Sequence, residues 1–184
     1  ALVWIPFTLA GATVLIHSKK IEASGLGLIA FGQVSAWILL NQFGLYGNQR
    51  VRKALAEELE ILKPRFRGFR VFVGFASPRY SSLVDAHEDV GFLLLTPETL
   101  EFIGDRRTII IQHKSVIGLR FRPSIHTAVG LGRWICIEGR QDGKPFELRI
   151  EPRERDTLLA NFRLGKALKA RIENWLKHEE PRGL

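Results

Sequence analysis

The sequence predicts an α+β protein with two parts: two transmembrane helices, then a seven-strand antiparallel barrel that a C-terminal amphipathic helix caps. Three observations predict this fold class. Two uncharged runs stand at the start of the chain, seven short strand-like segments with tight turns follow, and the last long segment repeats apolar residues at helical spacing. The strand pattern is also compatible with two packed sheets, which is the alternative to a closed barrel.

Residues 1–48 are predicted to form a transmembrane hairpin with helices at about 1–17 and 25–46. Neither stretch carries a formal charge, and about twenty helical residues at ~1.5 Å each span a hydrocarbon core of ~30 Å. The polar segment 17–24 separates them and contains the hairpin's few charged residues. Two buried helices of a soluble core are the alternative, and a cleaved signal peptide is a further alternative for the first run.

Five residues of the second run are candidates for helix packing. Gly25, Gly32 and Ala36 recur at helical spacing and would form one narrow face. Gln33 and Asn41 are polar groups at membrane depth or near the interface, where such groups tend to hydrogen-bond across helices. We expect this face to contact the first helix or a helix of a partner subunit.

Basic residues that follow the second helix predict the orientation of the chain. These membrane-surface cations are Arg50, Arg52, Lys53, Arg65, Arg67 and Arg70. By the positive-inside rule, the C-terminal part lies in the cytoplasm and the hairpin crosses the inner (plasma) membrane more than once. The same cations would meet anionic lipid headgroups at the membrane surface.

The segment 49–64 is predicted to be an amphipathic connector helix between the hairpin and the soluble part. Its apolar face comprises Val51, Leu55, Leu59 and Leu62, and charged residues occupy the rest of the surface. The pattern predicts a helix that carries the soluble domain away from the bilayer.

Residues 69–178 are predicted to form one compact domain, and 179–184 a frayed tail. The predicted strands are 69–76, 91–95, 99–103, 107–112, 116–122, 133–138 and 146–150. The closing helix carries an apolar stripe that would cover one face or end of the sheet. The stripe comprises Leu158, Phe162, Leu168, Ile172, Trp175 and Leu176.

This order of elements resembles the pleckstrin-homology (PH) superfold, and in particular its GRAM and bacterial PH-like branch. The likeness is carried by the hairpin GFLLLTPETLEF at 91–102, by Gly104-Asp105, by the segments 109–111 and 115–119, and by the helix 162–176. It extends over about residues 71–177 and is a pattern of element order and hydrophobicity. The resemblance implies a non-enzymatic module that binds phospholipid headgroups or proteins.

In lipid-binding members of that family, a basic loop between the first two strands holds the phosphates. The corresponding loop here, 77–90, contains Arg79 but also Asp85, Glu88 and Asp89. This departure from the family pattern argues against specific phosphoinositide binding and favours docking to a protein.

The chemistry-bearing residues do not form a recognisable catalytic or metal motif. The chain has one cysteine, Cys136, and its histidines do not follow a metal-ligand spacing; they are His17, His87, His113, His126 and His178. The triplet His87-Glu88-Asp89 is interpreted as a solvated loop, since it has no nucleophile beside it. We therefore expect no enzyme, no cofactor, no metal, no small-molecule substrate and no nucleic-acid partner.

The net charge of +8 favours an anionic neighbour. The sequence thus predicts an integral-membrane, non-enzymatic interaction protein whose partners are membrane lipids and other membrane-protein subunits. In this interpretation the cytoplasmic PH-like domain scaffolds or stabilises a larger membrane complex as an accessory subunit. The alternative is a membrane protein that binds and senses anionic phospholipid headgroups.

Overall fold

The computed structural model describes most of the chain and divides it into two compact units, Ala1–Tyr46 and Gly47–Leu184. The described residues are 4–18, 23–43, 48–64, 66, 68–80, 87–124, 126–127 and 130–177. The sequence-based boundary between hairpin and connector, at residue 48, lies close to the boundary between the two units.

The first unit is a pair of helices, α1 (Trp4–Ser18) and α2 (Ala23–Phe43). Of the helices within the described ranges, α2 is long and apolar enough to cross a membrane over Ala23–Gln42. The 15 described residues of α1 extend for only about 22 Å, which is short of a hydrocarbon core. Of the two helices predicted to span a membrane, only α2 has the length and composition for it within the described residues, so the prediction of two such helices is wrong.

The second unit contains the predicted seven-strand antiparallel sheet and the predicted C-terminal helix, so this part of the fold class is confirmed. The strands are β1 (Phe69–Ala76), β2 (Asp89–Leu95), β3 (Thr99–Gly104), β4 (Thr108–Gln112), β5 (Val116–Arg122), β6 (Trp134–Gln141) and β7 (Lys144–Pro152). Their order in the sheet is β4-β3-β2-β1-β7-β6-β5. The first and last strands of the sequence are thus neighbours at its centre.

The sheet is open, so the prediction of a closed barrel is wrong. The edge strands β4 and β5 are joined by a short 3-10 turn, His113–Ser115, and they do not pair with each other. At this corner the side chain of Gln141 takes the place of a strand partner for β4. Its Nε2 donates to the Ile110 carbonyl at 3.2 Å, and its Oε1 accepts from the Gln112 amide at 3.4 Å.

We expect Gln141→Ala to lower the free energy of unfolding by about 1 kcal/mol, because it removes two hydrogen bonds to the open edge of β4. The matched control is Gln112→Ala, which truncates an exposed amide side chain on β4 itself. Chemical denaturation of both variants measures the difference. Equal losses for the two variants would show that Gln141 has no special role at the corner.

The apolar core lies on one face of the sheet, beneath α4 (Leu158–Lys177). Alternate residues of the central strands point into it, as the two-residue period of a strand requires. Leu168 and Ile172 of α4 are almost fully buried against this face. The predicted stripe on the closing helix therefore covers the sheet.

The helix α3 (Asn48–Leu62) packs on the opposite face of the same sheet. Leu55 and Leu59 are buried there against Phe72, Phe92 and Leu94. The sequence pattern predicts that this segment is a connector leading away from the bilayer. In the structure it belongs to the folded domain instead. The domain therefore has three layers, with a helix on each face of the sheet.

Candidate functional site

The residues predicted for helix packing lie in the first unit and divide into buried and exposed positions. Gly25 and Gly32 are buried, Ala36 and Asn41 are partly buried, and Gln33 is exposed. A methyl group at Gly25 would lie 2.7 Å from Leu15 Cγ and 3.0 Å from the carbonyl oxygen of Gly11. Glycine at these positions lets the two backbones approach closely.

A polar contact also joins the two helices. Gln33 Nε2 donates to Thr8 Oγ1 at 3.4 Å. Phe7 on α1 and Phe31 on α2, each close in sequence to one of these two residues, pack edge to face with their ring centroids 5.2 Å apart. The α1–α2 contact therefore combines small residues, a hydrogen bond and an aromatic pair.

The predicted membrane-surface cations differ in their exposure and in whether they form ion pairs. Arg50 and Lys53 are exposed on α3. Arg52 forms an ion pair with Glu154, and Arg70 Nη1 lies 2.8 Å from Glu60 Oε1. Arg65 and Arg67 lie outside the described residues.

Several of the polar side chains along α3 fasten it to the rest of the domain. Gln49 Nε2 donates to Asp156 Oδ1 at 2.7 Å, and Lys63 pairs with Glu101 of β3. Together with the Arg52 ion pair, these contacts hold both ends of the helix to the sheet or to the segment after β7. The cation at Arg52 thus contributes to folding of the domain.

The most buried polar cluster of the domain centres on Glu151 of β7. Its Oε2 lies 3.3 Å from His87 Nε2 and 3.3 Å from His126 Nδ1. His87 precedes β2, and His126 belongs to the connection between β5 and β6. The side chains of Glu151 and His87 are 5% and 1% exposed. One buried carboxylate therefore contacts histidines that precede two different strands.

An arginine on the other side of the ring orients His87. Arg153 Nη2 lies 2.6 Å from His87 Nδ1. A guanidinium can only donate, so Nδ1 must accept, and the imidazole proton is on Nε2, which faces Glu151. The ring also packs edge to face on Trp134, with the centroids 5.0 Å apart. His87 thus links Arg153 to Glu151.

Two glycines make room for the cluster. A methyl group at Gly74 of β1 would overlap the imidazole of His87, and one at Gly132 would overlap Glu151 and approach His126 Cβ at 2.7 Å. Glycine in a strand interior commonly marks a close approach of this kind. Both positions are required for His87 and Glu151 to lie flat against the sheet.

The electrostatics of the cluster keep Glu151 ionised. Burial raises the pKa of this carboxyl, but hydrogen bonds from His126 and His87 outweigh burial and lower the pKa to about 2. No group of three or more potential ligands in the described part of the chain is arranged to hold a metal ion.

The sequence analysis interpreted the His87-Glu88-Asp89 triplet as a solvated loop, but the structure buries His87 and Asp89. Asp89 Oδ2 accepts from the backbone amides of Arg106 and Arg107, each at 3.2 Å. Glu88 Oε2 accepts from the Ser77 amide at 3.0 Å, and hydrogen bonding to Ser77 is the main cause that lowers the pKa of Glu88. These two carboxylates therefore bind the ends of neighbouring hairpins.

Beyond Glu151, the same face of β5, β6 and β7 carries alternating charges. Glu138 Oε1 accepts from Arg120 Nε at 2.8 Å and lies 3.3 Å from Arg122 Nη2. Glu147 Oε1 lies 2.7 Å from Arg149 Nε. The Glu138 pairs join β5 to β6, and cross-strand pairs of opposite charge stabilise an antiparallel sheet. The pairing leaves this face without a strong field of either sign.

A shallow, open depression of about 480 Å³ lies at one end of this charged face. Its lining mixes apolar and paired charged residues, including Pro78, Ile117, Arg120, Glu138, Phe146 and Glu147. A small-molecule site is normally more enclosed and has convergent polar groups. The depression is therefore a weaker candidate than the Glu151 cluster.

The sequence was compared with protein-family models and with curated proteins, and neither comparison gave a match. The PH-like and GRAM-like resemblance consequently stays a prediction. Of the Glu151 cluster, the sequence analysis named His87 and His126 only as isolated histidines. The signals that could have located it are the strand glycine Gly74 and the buried-strand position of Glu151.

Proposed function

We propose that this chain is an integral-membrane, non-enzymatic interaction protein whose cytoplasmic, PH-like domain scaffolds or stabilises a larger membrane complex as an accessory subunit. One observation carries the proposal. After α1 and α2 have paired, Leu26, Phe31 and Val34 remain 50%, 58% and 57% exposed. An apolar surface of this kind is stable in lipid or against another apolar helix, and it is a liability in water.

The arrangement of the second unit supports the interaction role. An antiparallel sheet in the order β4-β3-β2-β1-β7-β6-β5, followed by one helix on its apolar face, agrees with the PH-like resemblance. Glu151 contacts His87, which precedes β2, and His126, which precedes β6. Loops fixed on a rigid sheet are suited to recognition of a partner.

The membrane and partner assignments are tested on the full chain. We expect the protein to remain in the membrane fraction after alkaline extraction and to co-purify with defined subunits in a mild detergent. Release into the alkaline supernatant would contradict the membrane assignment. A chain that purifies alone as a monomer would contradict the accessory-subunit role.

We expect Gly27→Leu to reduce co-purification of a partner severalfold, because Gly27 faces open space on the exposed side of α2, where a helix can approach closely. The comparison variant is Gly32→Leu. Gly32 is buried within the unit, so we expect it to disrupt the α1–α2 pair itself. Unchanged partner recovery with Gly27→Leu would place the partner contact elsewhere.

Binding of anionic lipid headgroups is the second candidate function. It is favoured by the exposure of Arg50 and Lys53 on α3 and by the internal pairing of Glu88 and Asp89, which removes much of their repulsion toward phosphates. Flotation with anionic vesicles tests it, using a fragment that begins at Gly47 so that α3 is retained. Salt-sensitive flotation would support this function, and no flotation at low salt would exclude it.

A further inference from the structure

We propose that the open depression on the outer side of β5, β6 and β7 is a docking surface for a partner-protein segment that combines a large apolar side chain with acidic residues. The inference rests on the proposed role as an interaction module, and it names the surface and the chemistry of the partner. The depression measures about 480 Å³. Its open shape suits a segment of chain that passes across it better than a small molecule, which is normally enclosed.

Ile117 lines the depression, and a β-bulge presents it to solvent. Val116 and Gly118 of β5 pair with the consecutive residues Gly139 and Glu138 of β6, so Ile117 is an extra residue in β5. A bulge of this kind interrupts the ladder and re-aims a side chain. Ile117 is 75% exposed. Its aliphatic side chain is therefore available for contact with a partner.

Ile117 is accompanied by other apolar residues. Pro78, in the connection that follows β1, and Pro145, near the start of β7, line the same depression, and both are exposed. Single exposed hydrophobic residues are common on protein surfaces, whereas a shared apolar patch rimmed by polar residues is typical of an interaction site. Three separate parts of the chain thus contribute apolar surface to one concave feature.

The two carboxylates that line the depression are already paired with arginines. Glu138 Oε1 accepts from Arg120 Nε at 2.8 Å, and Glu147 Oε1 lies 2.7 Å from Arg149 Nε. A cation on the partner would have to displace one of these arginines. A basic segment therefore gains little from binding here.

Exposed cations beside the depression indicate the charge of the partner. Arg140 lines the depression, and Arg79 and Lys144 each adjoin one of the two prolines in sequence; all three are exposed. Within the ranges that the structure describes, none of the three forms an ion pair. Asp142 of the β6–β7 turn carries an opposing charge, so the local excess is positive. Charge complementarity therefore favours Asp or Glu residues on the partner.

The shape of the site favours a protein segment over a lipid bilayer. Anionic headgroups would also be attracted by these cations. A bilayer surface, however, meets the projecting parts of a protein, whereas the apolar residues here share a concave feature. A single side chain of a partner segment can enter that feature and leave its acidic neighbours at the rim.

The test is a selection that assumes nothing about the partner's sequence. A displayed library of random short peptides is selected against the full chain in a neutral detergent, and the affinities of the enriched peptides are measured by fluorescence polarisation. We expect these peptides to carry a large apolar residue flanked by Asp or Glu, and their affinity to weaken as the salt concentration rises. Enrichment of basic or uncharged peptides, or no enrichment, would overturn the proposal.

Two variants and two matched controls test the location. We expect Ile117→Ser to weaken binding of an enriched peptide at least about tenfold, because it removes the apolar side chain that the peptide buries. Arg140→Gln should weaken binding about threefold and reduce its salt dependence. The controls Ile110→Ser on β4 and Arg106→Gln at the β3–β4 turn change exposed residues elsewhere and should leave binding unchanged. Equal affinities of the two isoleucine variants would contradict the proposal.

Co-purification separates this inference from the proposed function. Subunits that are lost from Ile117→Ser and retained by Ile110→Ser would support the docking surface. Subunits that both variants retain equally would leave the accessory-subunit role intact and refute only this surface. Two further results would also refute it: Ile117-dependent flotation with phosphatidylserine vesicles would assign the surface to the membrane, and Ile117-dependent dimerisation would assign it to a second copy of the chain.

Discussion

Replacement of Glu151 by glutamine is expected to lower the free energy of unfolding of the second unit by about 3 kcal/mol. The carboxylate is almost completely buried and receives hydrogen bonds from two imidazoles that face the same oxygen. A carboxamide is neutral, and its NH₂ group can only donate. The variant therefore removes the buried negative charge that both histidines face, and its NH₂ group replaces the second acceptor oxygen with a donor.

The pKa of Glu151 gives the same size of effect and adds a pH dependence. A folded-state pKa of about 2, against an ordinary value of 4.5, corresponds to roughly 3 kcal/mol at ~1.4 kcal/mol per pH unit. Because the folded pKa is depressed, this stabilisation is complete above about pH 4.5 and is lost as the pH falls toward 2. The wild type should therefore lose more stability than the variant over this interval.

Denaturant unfolding at several pH values measures both effects. The matched control is Glu98→Gln, which changes an exposed carboxylate at the β2–β3 turn. We expect the control to remain within about 0.5 kcal/mol of the wild type. A Glu151→Gln protein as stable as the wild type at neutral pH would mean that the buried cluster does not hold the two connections.

Truncation of Leu59 to alanine is expected to destabilise the second unit by about 3 kcal/mol. Leu59 is only 2% exposed and packs with Leu55 on Phe72, Phe92 and Leu94 of the sheet. Removing its side chain leaves a cavity between α3 and the sheet, and the surrounding aromatic rings can fill it only in part. A helix that merely connected two domains would show no such loss.

The control for this variant is Ile61→Ala on the same helix. Ile61 is 80% exposed, so its truncation should change the free energy of unfolding by less than about 0.5 kcal/mol. Chemical denaturation of both variants gives the comparison. Equal, small changes at both positions would show that α3 does not stabilise the domain.

The sheet and its helix were predictable because their signals are local. Alternation of apolar residues located all seven strands, and the stripe that includes Leu168 and Ile172 located α4. The turn between β6 and β7 is another local signal, since Asp142 and Gly143 both have positive φ, as a two-residue hairpin turn requires. Strand ends were less accurate, and β2 begins at Asp89 before the predicted start.

The open edge and the buried cluster were not predictable from local patterns. Closure of a barrel depends on whether β4 meets β5, and a side chain of β6, Gln141, decides the geometry at that corner. His87 has a polar sequence neighbourhood, but its surroundings come from β7, β6 and the glycine in β1. Burial of such a residue depends on tertiary contacts. The sequence of an amphipathic helix such as α3 likewise identifies its apolar face but not the surface that covers it.

The attachment of α3 also has a consequence for biosynthesis. Gln49 and Arg52, near the start of the helix, bind Asp156 and Glu154, which follow the last strand. The ribosome synthesises α3 before every strand of its sheet, and the contacts at its first turns can form only after β7 is complete. During translation the apolar stripe of Leu55 and Leu59 is left without its native cover, so a chaperone is expected to shield it until synthesis has passed Asp156.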